Sequence, residues 1–305
     1  TALASFGVLL SVSMVGAQQR ADSSFDVSVA SPAYPRGRGP VVAVDAGHHN
    51  FHTIDGRYRI FAEVLRADGF RVRDHRGRLT AESLKGVDVL VIANAGTDSV
   101  SSWRLPTPPA FTDAEAGALK RWVEAGGSLF LIADHMPAAG ATAILGERFG
   151  VRLTNGYTQT TKQALNPVGD LFTRASGTLL DHPITRGRNA AERVDSIVTF
   201  TGQGFQIIGD AVEPVLVFGD DAVTLLPVVA GVGFDSTTPR VYSGRWPHAA
   251  VVTAGRGRVA IFGEAAMFSA QVAGPRPIRM GMNHPAAGRN KQLLLNVARW
   301  LARLY

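Results

Sequence analysis

Residues 127–140 read Gly-Ser-Leu-Phe-Leu-Ile-Ala-Asp-His-Met-Pro-Ala-Ala-Gly, and this stretch decides the fold class. The apolar run at 128–133 follows a double glycine, and a run of this length with such boundaries is typical of a fully buried strand. The chain turns polar at Asp134 and His135, and small residues that predict a helix begin near Ala138. A buried strand followed by a helix predicts a parallel α/β sheet. Asp134 and His135 would then lie at its carboxyl edge, where open α/β sheets place their ligand sites.

The same alternation of strands and helices surrounds this stretch. Strand patterns occur at 41–45, 70–73, 87–95 and 258–263. Helix patterns occur at 57–68, from Thr80, from Thr112 with a good N-terminal cap, and at 290–305; a loop is predicted at 274–288. This order predicts a doubly wound, mostly parallel sheet with right-handed crossovers.

The remaining segments set the domain organisation. Residues 151–255 contain short β-like runs between Gly, Pro and Asp, so we expect a β-rich elaboration of a single domain that spans 40–305. Residues 18–39 are polar and rich in proline, which predicts a linker. Residues 1–17 are nearly all apolar or small and end in a plausible cleavage site. They predict an export signal without its positively charged start, and hence a periplasmic or secreted protein; an ordinary buried helix is the alternative.

Composition excludes several classes of function. The 305 residues carry a formal charge of +6, but the arginines are scattered along the chain, so nucleic-acid binding is not expected. The absence of cysteine rules out disulfides, thiolate metal sites and a cysteine nucleophile. No phosphate-binding glycine motif follows the first strand, so no nucleotide cofactor is expected. The 1–17 segment is short for a membrane span, so no stable membrane insertion is expected after its removal.

The predicted strand exits and one late loop supply the candidate site residues. They are Asp45, His48, His49, His52, Asn94, Asp134, His135, Glu264, Asn283 and His284. Each has a simpler explanation, since an aspartate at a strand end often caps the next helix and loop histidines are often solvated. Their convergence on one sheet edge is the main functional signal.

Two chemistries fit such a cluster. In the first, His48, His49 and His52 hold zinc or another divalent metal, and His135, Asp134 and Glu264 form the catalytic group, with either carboxylate able to act as the base. In the second there is no metal, and the edge binds a sugar or another small polar ligand through hydrogen bonds. Asn94, Asn283 and His284 are the predicted substrate-binding residues, and Trp103 or Phe51 would stack on the ligand. A serine hydrolase is disfavoured, because no Gly-x-Ser-x-Gly elbow is present.

Five stretches carry a family resemblance. They begin at Asp45 (Asp-Ala-Gly-His-His-Asn-Phe-His-Thr), Leu131 (Leu-Ile-Ala-Asp-His-Met-Pro), Asp181 (Asp-His-Pro-Ile-Thr-Arg-Gly), Phe262 (Phe-Gly-Glu-Ala-Ala-Met-Phe) and Asn290 (Asn-Lys-Gln-Leu-Leu-Leu-Asn-Val-Ala-Arg-Trp-Leu). Over about 40–304 the chain resembles the class I glutamine amidotransferase-like superfamily, which has a flavodoxin-like fold. More narrowly it resembles an often exported bacterial branch, whose motifs do not define a reaction.

The chain departs from that superfamily at the central elbow. Amidotransferases carry a cysteine there, whereas this chain has Asp134 and His135, so glutamine hydrolysis through a thioester is excluded. The related trehalose-utilisation-like proteins share the His-Pro-Ile-Thr turn at 182–185 and imply a carbohydrate link by analogy; a purely structural turn is the alternative. We expect an exported hydrolase-like protein, with metal-assisted hydrolysis of a carbohydrate or ester-like substrate. The alternatives are a non-catalytic ligand-binding or sensor domain and a degenerate scaffold.

Overall fold

The computed structural model describes residues 19–98, 103–161, 169–231, 234–274 and 278–305. The predicted export signal at 1–17 lies outside the described residues, and so do residues 99–102 of the loop that carries Trp103.

The described chain up to residue 161 alternates strands and helices before it becomes β-rich. Its elements are β1 (Arg20–Ala21), β2 (Val41–Asp45), α1 (Arg59–Ala67), β3 (Arg71–His75), β4 (Val89–Ala93), α2 (Asp113–Glu124), β5 (Ser128–Ile132), α3 (Ala138–Ala141), α4 (Ala143–Arg148), β6 (Val151–Leu153) and β7 (Tyr157–Gln159).

The later part is mostly strands and closes with a helix. Its elements are β8 (Leu171–Thr173), α5 (Pro183–Arg186), β9 (Ser196–Val198), β10 (Phe205–Ile207), β11 (Val212–Val217), β12 (Val223–Leu225), β13 (Arg240–Tyr242), β14 (Pro247–Ala254), β15 (Gly257–Phe262), β16 (Ala270–Ala273), β17 (Ile278–Gly281) and α6 (Asn290–Leu301).

Seven strands form the central sheet in the spatial order β11-β14-β15-β5-β4-β2-β3. The five strands from β15 to β3 are parallel, and β14 and β11 add antiparallel strands at one side. The carboxyl ends of the five parallel strands therefore share one edge. The predicted α/β class with a mostly parallel sheet is confirmed.

Helices cover both faces of this sheet. Along β2, Val42 and Val44 belong to one buried cluster with α1 and α6, whereas Ala43 belongs to a second cluster with α2 and α4. This alternation follows from the two-residue period of a strand. Since both faces are buried, the central strands are continuous apolar runs.

Helix α2 begins with the predicted N-terminal cap. The Thr112 hydroxyl accepts the Glu115 backbone N–H at 3.3 Å, and the Glu115 carboxylate accepts the Thr112 N–H at 3.1 Å. This reciprocal pair satisfies donors that the helix itself leaves free.

Two local predictions are wrong. The segment from Thr80 forms turns, not a helix: the Leu84 N–H closes a single turn on the Thr80 carbonyl, and Gly86 at φ +68° ends it before a second turn forms. The predicted loop at 274–288 contains β17, which pairs antiparallel with β16. At four residues, Ile-Arg-Met-Gly is too short to show a strand pattern among the neighbouring prolines and glycines.

The predicted linker lies against the domain. Strand β1 pairs with β16, and the backbone N–H of Ala33 donates to Asp68 at 2.8 Å. Asp68 is also bound by Arg299 of α6 at 2.6 Å, and both side chains are almost completely buried. The Arg299 guanidinium also donates to the Ser31 carbonyl. A buried ion pair thus fastens this segment to α1 and α6.

Each described helix is too short or too polar to cross a bilayer.

Candidate functional site

Four of the predicted site residues lie at the carboxyl edge of the central sheet. Asp45 ends β2, Asn94 follows β4, Asp134 follows β5, and Glu264 follows β15. These four strands are neighbours in the sheet, so their ends form one continuous row. This row is the frame of the candidate site.

Asn94 and Asp134 are joined directly. The Asn94 side-chain oxygen accepts the Asp134 backbone N–H at 2.9 Å, and the Asn94 amide nitrogen lies 3.5 Å from Asp134 Oδ2. Asn94 has φ +48°, a left-handed conformation that asparagine tolerates better than most residues. The same side chain thus allows the turn after β4 and holds the start of the loop after β5.

The Asp134 carboxylate is held by backbone donors. It accepts the N–H of His135 at 2.8 Å and that of Ala265 at 3.3 Å. His135 Nδ1 lies 2.7 Å from the Met136 carbonyl oxygen. Because a carbonyl can only accept, we assign a proton to Nδ1. His135 Nε2 lies 3.7 Å from Asp134 Oδ1, and the His135 side chain is 28% exposed.

A small cavity of about 70 Å³ opens beside Asp134 and His135. Its walls are formed by Phe51, Asn94, Ala95, Gly96, Thr97, Trp103, Asp134, His135, Pro137 and Ala138. The Phe51 and Trp103 rings meet edge to face, with their centroids 5.9 Å apart. Two aromatic rings, an amide, a carboxylate and an imidazole therefore face one space.

Backbone bonds bring Phe51 to this cavity. Its N–H donates to the Asn94 carbonyl at 3.0 Å, and the Gly96 N–H donates to the His48 carbonyl at 2.9 Å. The loop after β2 is therefore fastened to the loop after β4. The early histidine loop and the Asp134–His135 corner lie at the same edge of the sheet.

The His48 ring lies between the carboxylates of Asp45 and Glu115. Its Nδ1 lies 2.9 Å from Asp45 Oδ2, and its Nε2 lies 3.2 Å from Glu115 Oε1. Burial opposes protonation, but the bonds and charges of Asp45 and Glu115 outweigh burial and raise the pKa of His48. Burial likewise opposes ionisation of Glu115, but hydrogen bonds from Thr112 and His48 lower its pKa to about 2.

The other two predicted metal ligands have different surroundings. His52 is buried with its ring 4.7 Å from that of Tyr58, and burial lowers its pKa to about 3. His49 is exposed. In the described ranges no three histidine or acidic side chains are grouped so that they could hold a metal ion. The arrangement of His48, His49 and His52 does not fit one ion, and the predicted zinc stays a prediction.

Glu264 lies in a buried polar cluster behind the cavity. Its Oε2 accepts the Met267 N–H at 2.9 Å, while within the described residues Oε1 has no partner of good geometry. Burial and the charge of Asp134 raise the pKa of Glu264 well above its usual range. The Tyr58 hydroxyl donates to the Ala265 carbonyl at 3.0 Å, beside this carboxyl.

His248 of β14 belongs to the same cluster, and no pattern in the sequence predicts this position. A Cβ atom on Gly202 would lie 2.9 Å from both His248 Cε1 and Glu264 Cβ. His248 Nδ1 lies 2.9 Å from the Gln203 carbonyl, and burial lowers the pKa of His248 to about 4. Its strand is antiparallel to its neighbours, so a rule based on parallel strand exits could not find it.

The late loop contributes little to the cavity. Asn283 donates to Asp22 and to the Gln271 carbonyl, both at 2.9 Å, and so ties the β16–β17 hairpin to the N-terminal segment. His284 packs edge to face on Phe200 with a centroid distance of 5.5 Å. Neither residue lines the cavity. The sequence missed Tyr157 instead, which stacks on His135 at 4.2 Å.

The turn at 182–185 has a structural role. His182 Nδ1 accepts the Ile184 N–H at 3.1 Å, so this histidine caps the single turn of α5. The geometry agrees with the structural alternative.

Comparison with solved structures shows a shared fold. The mmIFT52 N-terminal domain is similar with a TM-score of 0.59 and 17% identity, over 86% of this chain and 97% of that domain. ThuA-like proteins from Bacteroides uniformis and Parabacteroides merdae both align with a TM-score of 0.42, at 15% and 11% identity. They cover 90% and 87% of this chain, and 93% and 90% of their own.

No family model matches the sequence, and no curated protein is similar enough to count as a relative. At 17% identity, the similarity to the mmIFT52 N-terminal domain concerns the fold alone.

Proposed function

We propose that this protein binds a carbohydrate at the carboxyl edge of its sheet. One observation carries the proposal: the Phe51–Trp103 aromatic pair shares a cavity with Asn94, Asp134 and His135. Few but convergent polar groups beside aromatic walls are typical of small-ligand sites. A sugar offers the matching surfaces, with hydroxyls at its edge and apolar C–H groups on its faces.

The topology supports this location. Numbered by their order along the chain, the five parallel strands have the spatial order 2-1-3-4-5, which is that of flavodoxin-like sheets. In such sheets ligands bind where the strand order reverses, between the first and third strands. Here those strands are β2 and β4, and the loops that follow them carry Phe51 and Asn94.

The polar groups have complementary roles toward a sugar. The Asp134 carboxylate accepts ligand hydroxyls, and it is already oriented by the N–H groups of His135 and Ala265. The His135 ring lies next to this carboxylate, with Nε2 at 3.7 Å from Asp134 Oδ1, and supplies a second polar group. A ring lying against Trp103 excludes water from these hydrogen bonds and so strengthens them.

A glycan array followed by calorimetry tests the proposal. Trp103→Ala should weaken binding of the array hits by about tenfold or more, while Trp103→Phe should keep most of the affinity, because it preserves an aromatic face. Trp103→Phe should also abolish any quenching of tryptophan fluorescence by the ligand. If no glycan binds the full chain, or if Trp103→Ala binds normally, the proposal fails.

Hydrolysis of the bound sugar is a second candidate, supported by the Asp134–Glu264 pair. Burial and the nearby Asp134 raise the pKa of Glu264, which favours its protonated form, and glycosidases use one protonated and one ionised carboxyl group. Glu264 is completely buried, so this candidate requires the cavity to deepen toward it. Release of reducing ends from the glycans that bind, if it is lost in Glu264→Gln, would support hydrolysis. If the glycans stay intact, the protein binds them without hydrolysing them.

The predicted zinc and the predicted export stay proposals with direct tests. Elemental analysis should find stoichiometric zinc that falls in His48→Ala if the metal proposal holds. N-terminal sequencing of exported protein should find a chain that starts after residue 17. Metal-free protein, or exported protein that still starts at Thr1, would contradict them.

A further inference from the structure

Building on the proposed carbohydrate function, we infer that the ligand is an oligosaccharide of two or more units, which continues from the cavity onto an exposed apolar rim. The rim consists of Phe51, Trp103, Leu105, Val228 and Phe234.

The size of the cavity is the first reason. Its volume of about 70 Å³ is well below the roughly 300–1,000 Å³ of pockets that enclose a drug-sized ligand. The cavity therefore encloses only part of a sugar ligand. The rest of the ligand must therefore lie outside the cavity, against whatever surrounds its mouth.

That surrounding surface is unusually apolar. The exposed fractions are 44% for Phe51, 44% for Leu105, 53% for Val228 and 40% for Phe234. A group of exposed apolar side chains next to a polar cavity marks a binding surface more often than an inert one.

Contacts make the rim continuous. Trp103 touches Phe51, and its carbonyl accepts the Ala230 N–H at 2.7 Å. The Leu105 N–H donates to the Val228 carbonyl at 2.9 Å. The rim residues from Phe51 to Val228 are thus held side by side.

At the other end of the rim, contacts between aromatic rings connect Phe234 to the cavity. Phe234 lies 4.8 Å from Tyr157, and Tyr157 stacks on His135, which lines the cavity. The Tyr157 hydroxyl also accepts the Gly231 N–H at 3.1 Å. Phe234 is therefore connected to the cavity through Tyr157 and His135, while Phe51 lines the cavity itself.

The backbone of the rim favours a sugar chain over a peptide. A peptide that adds a strand needs free backbone groups at an edge. Here residues 103–105 and 228–230 already pair with each other, through the two bonds above and a bridge between Arg104 and Val229. What they present outward is side-chain surface, on which the apolar faces of successive sugar units can lie.

The test measures affinity against ligand length. For the sugar type that binds on the glycan array, calorimetry with oligomers of one to six units should show a gain of about tenfold or more between one and three units. Phe234→Ala should abolish this gain, measured as the ratio of the affinities for three units and for one unit. Ile278→Ala, which removes an even more exposed apolar side chain from β17, should behave like the wild type.

The outcomes separate this inference from the function on which it rests. Equal affinity for all lengths, or an unchanged length dependence in Phe234→Ala, would overturn the extended ligand but keep the carbohydrate site. Failure of every glycan to bind would overturn both. Binding of apolar peptides without glycans would replace the sugar chain by a peptide partner.

Discussion

The side chain of Asn94 accepts the backbone N–H of Asp134 at 2.9 Å, and this bond joins the ends of two neighbouring parallel strands. It fixes the distance between the loop that contacts Phe51 and the corner that presents His135. The shape of the cavity thus depends on an amide that also lines it.

Replacing Asn94 with alanine should lower the free energy of unfolding by about 2–5 kcal/mol. The change leaves the buried Asp134 N–H without an acceptor, at about 1–3 kcal/mol, and forces alanine to φ +48°, at about 1–2 kcal/mol. Urea denaturation measures the loss. Asn94→Gly keeps the backbone unstrained, so it should be the milder variant; equal losses in the two would show that the conformation carries no strain.

Glu264→Gln should change how stability depends on pH. The folded pKa of Glu264 lies above the usual 4.5, so its contribution is fully present below pH 4.5 and is lost as the pH rises toward the folded value. The loss can reach about 1.4 kcal/mol per pH unit. Gln cannot ionise, so the stability of the variant relative to the wild type should rise between pH 5 and 8. Parallel denaturation curves across that range would contradict the protonated state of Glu264.

His248→Asn should protect the protein at moderately acid pH. The folded pKa of His248 is about 4, below the usual 6.5, so its contribution is present above pH 6.5 and is lost as the pH falls toward 4. Asparagine retains a donor for the Gln203 carbonyl but cannot take up the proton. Thermal or urea unfolding at pH 7 and pH 4.5 should show a smaller acid loss in the variant, by up to about 1.4 kcal/mol per pH unit.

Glu115→Ala should destabilise the protein by about 2–4 kcal/mol. It removes half of the reciprocal cap of α2, worth about 0.5–2 kcal/mol, and the carboxylate that His48 and the Leu79 N–H share. Glu124→Ala is the control, since Glu124 ends the same helix and makes an exposed ion pair with Lys120 at 3.6 Å. The free energy of unfolding of this control should stay within about 0.5 kcal/mol of the wild type. Similar losses in both would mean that only helix propensity matters.

The sequence predicts which strand ends form the site better than it predicts the contacts of the side chains around them. Parallel strands deliver their ends to one edge, so the positions of Asp45, Asn94 and Asp134 follow from hydrophobic patterning alone. The directions of loop side chains do not follow from it, and His48 and His52 enter separate buried environments. His248 and Tyr157 reach the site from strands outside the parallel order, for which the pattern contains no signal.

The Arg299–Asp68 ion pair limits where a shorter fragment of this domain can begin. A fragment designed to begin at residue 40, the start of the apolar strand pattern, would keep both charges in the interior but lose the Ser31 carbonyl and the Ala33 N–H that complete their coordination. Such a fragment should express poorly or precipitate, whereas a fragment that begins before residue 20 should fold and stay in solution. The smallest autonomous unit of this protein is therefore longer than its sheet and helices suggest.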